Sequence, residues 1–436
     1  MKYAAAAPVV LVALLCLAVY EKSGANARAE RDYETHLTAA REYAADEIIV
    51  DAAASYGKAL ALSPSLALRM EIVRFYASAG RLDAAGDWCE DTIDAYPGEP
   101  EPYEYLMEAR RGAGDIASCF EIYGTMARRS VESEVCDGIM AEIKYAYFLT
   151  GSYEDAAVFS GGYCAVMTKG KWGYIDETGA RRVQAGFVRA GAFGPDGRAA
   201  VTDVKGGSYY IDAEGNKRAA PPVGPGADSL GLLEGGVYTL GGAGGWGIYD
   251  SSGTLISGPY DGATSIRDGR AAVLSDGLWF LVDSGGTPVS GDGYDAVKCD
   301  DSGAMYSGGR FFAVSDGMYY MLGGDGHRVS DTGYEDCKPF VPGGGRYAAV
   351  KSGGKWGFAD SAGEYVIEPA YEDARGFSNG LAAVSLGGKW GYIDESGDMV
   401  IGNIFSDARD FNSRGCTLVQ IDGYWQLLKL YRYSAA

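Results

Sequence analysis

The chain has 436 residues, of which 47% are hydrophobic, 65 are glycine and 32 are tyrosine, with a formal net charge of −21. That length and apolar content allow two or three domains with sizeable cores and exclude wholesale disorder. The acidity is −12 over residues 1–159 and −9 over residues 160–436. No basic patch meets a phosphate backbone, so nucleic acid, anionic wall polymers and anionic lipid surfaces are poor partners.

The first predicted element is apolar. Lys2 precedes an uncharged run from Ala4 to Tyr20, closed by Glu21 and Lys22. A short basic start and an apolar run make an export signal. At ~1.5 Å per residue the run just crosses a bilayer core. Two fates stay open for residues 1–27: cleavage after Ala25-Asn26-Ala27, or retention as a membrane anchor. Cys16 is a poor lipid-anchor site, because Leu15 precedes it where a small residue is wanted. The protein is expected to be exported, secreted or membrane-anchored, in a bacterial cell envelope. The membrane is met through this N-terminal segment alone.

Residues 28–160 are predicted to be helical, with few glycines and much Ala, Glu, Leu and Tyr. The stretches YASAGRLDAAGDW (76–88), RRGAGDIASCFEI (110–122) and YFLTGSYEDAAVF (147–159) align on Gly80, Gly114 and Gly151, spaced 34 and 37 residues. Each glycine would end one helix and turn the chain into the next. Ala85, Cys119 and Ala156 follow five positions later, where two helices must approach closely. The period and this pattern resemble tetratricopeptide repeats. That resemblance implies helical hairpins, serving either as a concave groove for a peptide or partner helix or as a spacer.

Residues 161–436 are predicted to be all-β. KWGYIDETG at 171–179 returns as KWGYIDESG at 389–397. Aligned on the Trp position, eight copies begin at 172, 208, 246, 279, 319, 356, 390 and 425. A second short apolar run lies upstream of each, such as YCAV at 163, YAAV at 347 and LAAV at 381. Apolar run, Gly-rich turn, aromatic run is a β-hairpin. The Asp-x-x-Gly that follows can close a turn, Asp accepting an amide and Gly taking positive φ. A third strand then follows, as in EYVIEPAY at 364–371. Apolar groups face both ways on these strands, so neighbouring units must cover one another. Trp-Gly suggests an aromatic filling the gap that a neighbour's glycine leaves.

The stretch GKWGFADSAGEYVIEPAYEDARGFSNGLAAVSLGGKWGYIDESG and its degenerate copies resemble the WG-repeat (KWG) family across about residues 160–430. The repeat-defining residues are structural: Trp172, Gly173, Trp246, Gly247, Trp279, Trp356, Gly357, Trp390, Gly391 and Trp425. The resemblance implies a propeller-like ring of seven or eight units, with an open β-solenoid as the alternative, and use in binding. GSYYIDAEGNK and GMYYMLGGDG also resemble choline- and wall-binding hairpins, whose aromatics cage cations, although their period is shorter. That makes a wall glycan the second expected ligand class.

Chemistry is sparse. His36 and His327 stand far apart, and no second His or Cys stands near either in sequence. The pairs Asp176-Glu177 and Asp394-Glu395 are expected to solvate hairpin ends. The cysteines at 89, 119, 136, 164, 299, 337 and 416 form no Cys-x-x-Cys motif and look like small core residues, with a Cys299–Cys337 bridge left open. GGAGGWG at 241–247 lacks the Lys-Ser/Thr of a phosphate loop. No catalytic, metal or cofactor site is therefore expected. The expected function is non-catalytic binding or scaffolding of another protein or peptide outside the cytoplasm.

Overall fold

The computed structural model describes residues 6–218, 227–343 and 345–433, with residues 6–25, 227, 228 and 433 described by backbone alone. The chain forms two compact units, one ending at Lys144 and one beginning at Tyr145.

The first unit is α1 (Ala6–Ala45), α2 (Ile49–Leu62), α3 (Leu66–Ser78), α4 (Leu82–Ala95), α5 (Pro100–Gly112), α6 (Ile116–Arg129) and α7 (Glu134–Ile143). The starts follow capping chemistry: Ser65, Asp115 and Ser133 each accept a backbone amide of the helix they open, and Pro100 begins α5. Gly80 and Gly114 take φ of +69° and +75° between paired helices, as expected. Ala85 and Cys119 are buried, and the Cys119 thiol approaches the Met107 carbonyl at 3.7 Å. Leu37, Tyr56, Leu68, Ile72 and Phe75 pack α1, α2 and α3 into one core. Of the expected signal or anchor over residues 1–27, residues 1–5 lie outside the described residues, and residues 6–25, Cys16 included, are described by backbone alone as the start of α1. Among those described, no helix is long and apolar enough to cross a membrane.

The helical reading fails at residues 147–160. Tyr147–Tyr153 and Asp155–Ser160 are β-strands, so the second unit begins at Tyr145 and not at 161. Gly151 is a bulge glycine at φ +71°, and a Cβ there would meet the Tyr153 ring at 2.6–2.9 Å. The two repeat types have nearly equal periods, which carried the helical alignment one unit too far. YEDAAVF at 153–159 in fact copies YEDCKPF at 334–340 and YEDARGF at 371–377.

The second unit is a propeller of eight small antiparallel sheets, numbered here as blades in chain order. Blade 1 has strands Asp155–Ser160, Tyr163–Thr168, Lys171–Asp176 and Arg181–Phe187. Blade 2 has Arg189–Phe193, Ala199–Thr202 and Ser208–Ile211, and blade 3 has Ala227–Leu230, Val237–Gly242, Gly245–Asp250 and Leu255–Tyr260. Blade 4 has Gly262–Ala263, Arg270–Ser275, Leu278–Asp283 and Pro288–Tyr294, and blade 5 has Ala296–Val297, Arg310–Ser315 and Met318–Gly323. Blade 6 has Asp336–Cys337, Ala348–Ser352, Lys355–Ala359 and Tyr365–Tyr371, and blade 7 has Asp373–Ala374, Leu381–Leu386, Lys389–Asp394 and Met399–Phe405. Blade 8 takes Asp407–Ala408, Cys416–Ile421 and Tyr424–Leu430 from the end of the chain, and Tyr147–Tyr153 from the start of the unit. Tyr147 stands opposite Leu430 and Tyr153 opposite Trp425. This pairing closes the ring and excludes the open solenoid.

The tryptophans occupy equivalent positions. Trp172, Trp246, Trp279, Trp356, Trp390 and Trp425 each pair with an outer-strand aromatic: Phe187, Tyr260, Tyr294, Tyr371, Phe405 and Tyr153. Tyr319 takes the Trp position in blade 5, opposite Tyr334. Ser208 takes it in blade 2. Trp356 and Trp425 are buried and the others half-buried.

The glycine of Trp-Gly serves a different purpose from the one expected. A Cβ on Gly173, Gly357 or Gly391 would lie 2.5–2.6 Å from the carbonyl oxygen of Val183, Ile367 or Ile401. Those carbonyls belong to the outer strand of the same blade, which bulges there: Trp390 pairs with Phe405 but Tyr392 pairs with Ile401. The glycine makes room for its own blade's bulge, not for a neighbour's aromatic. Gly247 differs, meeting the flexible Leu255 side chain at 2.6 Å. The Asp-x-x-Gly turns form as expected. Asp394 accepts the amides of Ser396 and Asp398 at 3.0 and 3.2 Å, and Gly397 has φ +85°.

Candidate axial binding site

Each blade begins with a short inner strand, and the residue four positions after the preceding outer-strand aromatic sits at its end. In blades 5 to 8 that residue is Lys298, Lys338, Arg375 and Arg409. Its backbone amide donates in the same way in all four, to Phe312, Ala349, Ala383 and Leu418. Each cation lies over the aromatic at the Trp position of its own blade. Lys298 is 5.5 Å from the Tyr319 ring, Lys338 5.0 Å from Trp356, Arg375 5.9 Å from Trp390 and Arg409 4.2 Å from Trp425.

Each cation also reaches the next blade. Lys298 pairs with Asp336 at 2.6 Å, Lys338 with Asp373 at 3.0 Å, and Arg375 with Asp407 at 3.9 Å. Arg409 donates to the Ala156 carbonyl of blade 1 at 3.2 Å, beside Asp155. The result is a ladder of charges running around half the ring. It begins in blade 5, which has the cation but Ala296 where the later blades have Asp. It ends in blade 1, which has Asp155 but Ala157 in place of a cation. The pattern is legible as Asp-x-Lys/Arg at 336–338, 373–375 and 407–409, because repeats put like residues at like places.

The ladder borders a cavity of about 840 Å³ at the mouth of the ring, lined from seven of the eight blades. Phe159, Phe340, Val341 and Phe411 give it an apolar wall. Arg267, Lys298, Lys338, Arg346 and Arg375 line it together with Asp300, Asp301, Asp410, Glu177 and Glu395. Most of these charges are paired. Arg267 bonds Asp300 and the Ser302 hydroxyl in a largely buried pair. Glu177 accepts from Asn412 at 3.0 Å and pairs with Arg414 at 3.0 Å, while Arg346 pairs with Glu395 at 3.1 Å. Burial raises the Glu177 carboxyl above the usual range, with Arg414 opposing. Burial likewise raises the Asp410 carboxyl, against the pull of Arg375. For Arg375, burial works against the charge, and Asp410, Asp407 and Asp301 outweigh it.

Sequence reasoning placed Glu177 and Glu395 as solvated turn residues. The structure brings both to the cavity, each tied to an adjacent blade. Turn glycines of blades 5 and 6 are also used between blades: Tyr294 and Tyr334 donate to the Gly326 and Gly363 carbonyls, both at 2.8 Å. His36 lies half-buried on α1 and His327 is exposed in a blade 5 turn. All seven described cysteines, Cys299 and Cys337 included, are free thiols, and burial raises each of them. Among the described residues no group of three or more His, Cys, Asp or Glu could hold a metal ion.

The model of the family described as "WG containing repeat" matches residues 151–172, 246–279, 356–390 and 390–425. Four segments of the propeller are therefore WG repeats. The first matched segment begins at Gly151, inside the stretch that closes the ring. A comparison with curated proteins gives no match. Among solved structures, Hsv2 of Kluyveromyces lactis with a complete loop 6CD is similar at 11% identity and a TM-score of 0.33, over 62% of this chain and 90% of that one. Apo AztD of Citrobacter koseri is similar at 13% identity and a TM-score of 0.35, over 63% of this chain and 87% of that one.

Proposed function

We propose that this protein is a non-catalytic scaffold outside the cytoplasm, and that the axial mouth of its WG-repeat propeller binds a polypeptide segment of a partner protein. The observation carrying this reading is the cavity itself, where apolar rings and charges of both signs converge from seven blades. Its size lies within the usual range for ligand sites, about 300–1,000 Å³. Mixed charge suits a polypeptide, which offers amides and side chains of either sign, and suits a polyanion poorly. The repeat tryptophans are poor glycan platforms by comparison, since Trp356 and Trp425 are buried beneath Lys338 and Arg409.

The test is site-specific photo-crosslinking of the full chain in its source cells, with the reactive group at Ser413 on the cavity rim or at exposed Val204 of blade 2. The expected result is one polypeptide segment joined through position 413 and not through 204, a synthetic copy of which binds the purified chain. Adducts of equal yield at both positions, or retention by wall glycan alone, would overturn the reading. The extracytoplasmic placement rests on the apolar run from Ala4 to Tyr20. A protease that digests the chain on intact, wall-stripped cells supports that placement, and complete protection refutes it.

A further inference from the structure

Three rungs of the ladder are satisfied and one is not. Lys298 and Lys338 hold their aspartates at 2.6 and 3.0 Å, and Arg409 holds a carbonyl at 3.2 Å. Arg375 lies between them with its side chain only 15% exposed, yet its guanidinium makes no hydrogen bond among the described residues. Its ion-pair neighbours Asp301 and Asp407 stand at 3.8 and 3.9 Å, too far for one. Its Nε is shielded from solvent and has no partner. The same holds for Oδ1 of Asp410, which lines the same cavity. Arg375 and Asp410 make no hydrogen bond to each other. Nε of Arg375 and Oδ1 of Asp410 therefore stand on two residues that line one space, each without a hydrogen-bond partner among the described residues. Leaving such groups unmade is costly, and two of them on the wall of one cavity are places where water or a ligand supplies the missing partner.

We infer that the axial cavity is a carboxylate-accepting pocket, in which Arg375 takes a carboxylate of the bound polypeptide and Asp410 accepts an adjacent amide N–H. This rests on the polypeptide reading above. The planar guanidinium fork matches a carboxylate. A phosphate is a worse fit, because Asp301, Asp410, Glu177 and Glu395 surround the site and repel a second negative charge. Phe159, Phe340 and Phe411 offer a wall for the side chain next to the carboxylate. Asp301, whose side chain is 59% exposed, is the rival carboxylate at the rim. The incoming group displaces it from Arg375. The carboxylate has two sources in a polypeptide, the chain terminus and an acidic side chain, and both present the same atoms.

Three peptides separate the possibilities on the full chain: acetyl-Gly-Ser-Gly-Phe with a free terminus, the same peptide as its C-terminal amide, and acetyl-Gly-Glu-Gly-Phe amide. Affinity is read by ligand-observed NMR. At least one carboxylate form is expected to bind about tenfold more tightly than the neutral amide, and which one it is identifies the source. Arg375→Gln is expected to erase that preference. Should that variant fail to fold, Asp301→Asn on the exposed rim decides the matter, with binding of the carboxylate form tightening about threefold as the rival is removed. Equal binding of acid and amide, no binding of any of the three, or an Asp301→Asn variant that binds no more tightly overturns the inference. Photo-adducts through position 413 that persist in Arg375→Gln would leave the scaffold reading standing while this inference falls.

Discussion

Blades 5 to 8 and blades 1 to 4 share one backbone but solve the inner strand differently. Where the charged half has Lys298, Lys338, Arg375 and Arg409, the other half has Ala157, Gly191, Gly231 and Thr264. Gly231 and Thr264 donate the same inner-strand backbone hydrogen bond as the four cations. Two of the small residues sit in tight places: a Cβ on Gly191 would press on the Ala200 carbonyl at 3.1 Å, and one on Gly231 would clash with the Thr239 hydroxyl at 2.3 Å. Blades 1 and 2 are joined to their successors by tyrosine, Tyr174 donating to the Gly191 carbonyl and Tyr210 to the Gly231 carbonyl, at 2.8 and 2.6 Å. Burial pushes both phenols well above the ordinary tyrosine range. Tyr392 in blade 7 does the same to the Arg409 carbonyl at 2.8 Å. The lesson is that the WG repeat demands a backbone spacing and leaves the inner side chain free to vary, and the unpaired groups of the axial cavity lie on the charged side.

The comparison breaks first at features both halves share. Gly391→Ala and Gly173→Ala should each cost about 3 kcal/mol, because the new methyl meets outer-strand backbone that cannot rotate away. Urea unfolding of the two variants should therefore agree, and a large difference would mean that the bulge is not common to both halves. Arg409→Met tests the junction where the halves meet. It removes a stacked, largely buried cation and a bond to Ala156, with an expected loss of about 2 kcal/mol, read from the thermal midpoint. Tyr174→Phe and Tyr392→Phe should each cost about 1 kcal/mol, the usual net value of one buried hydrogen bond. If only the blade 7 variant is destabilised, the tyrosine link is not equivalent across the ring. Ala157→Lys adds a cation to blade 1, where the next blade offers Arg189 in place of an aspartate. It should lower stability by about 0.5 kcal/mol, and less at high salt.

Much of this was legible. Eight aromatic runs at a steady period gave eight blades, and Gly80 and Gly114 gave two helical turns. The closing strand was hidden because Gly151 falls 37 residues after Gly114, close enough to the helical period to be absorbed by it, although YEDAAVF shares its Tyr, Glu, Asp and Phe with both β counterparts. The inner strands of blades 4 to 8 span two residues each, too short for any periodicity to register. The repetition of Trp-Gly is plain in the sequence, but the bulge that its glycine abuts lies in a partner strand, which a pattern of side chains cannot reveal. The ladder's residue types repeat visibly, whereas their partners lie one blade onward. The isolation of Arg375 follows from distances to Asp301 and Asp407, which stand 74 residues before and 32 after it in the sequence.

The claim on which the two-halves account depends is that a cation of one blade is held by an aspartate of the next. A double-mutant cycle on Lys338→Met and Asp373→Asn measures that link by itself. The two side chains are 31% and 42% exposed, so a coupling of about 1 kcal/mol is expected, falling as salt rises. Strict additivity of the two substitutions at low salt would contradict it, leaving the cations of blades 5 to 8 as bystanders on a ring held together by its tyrosines and bulges alone.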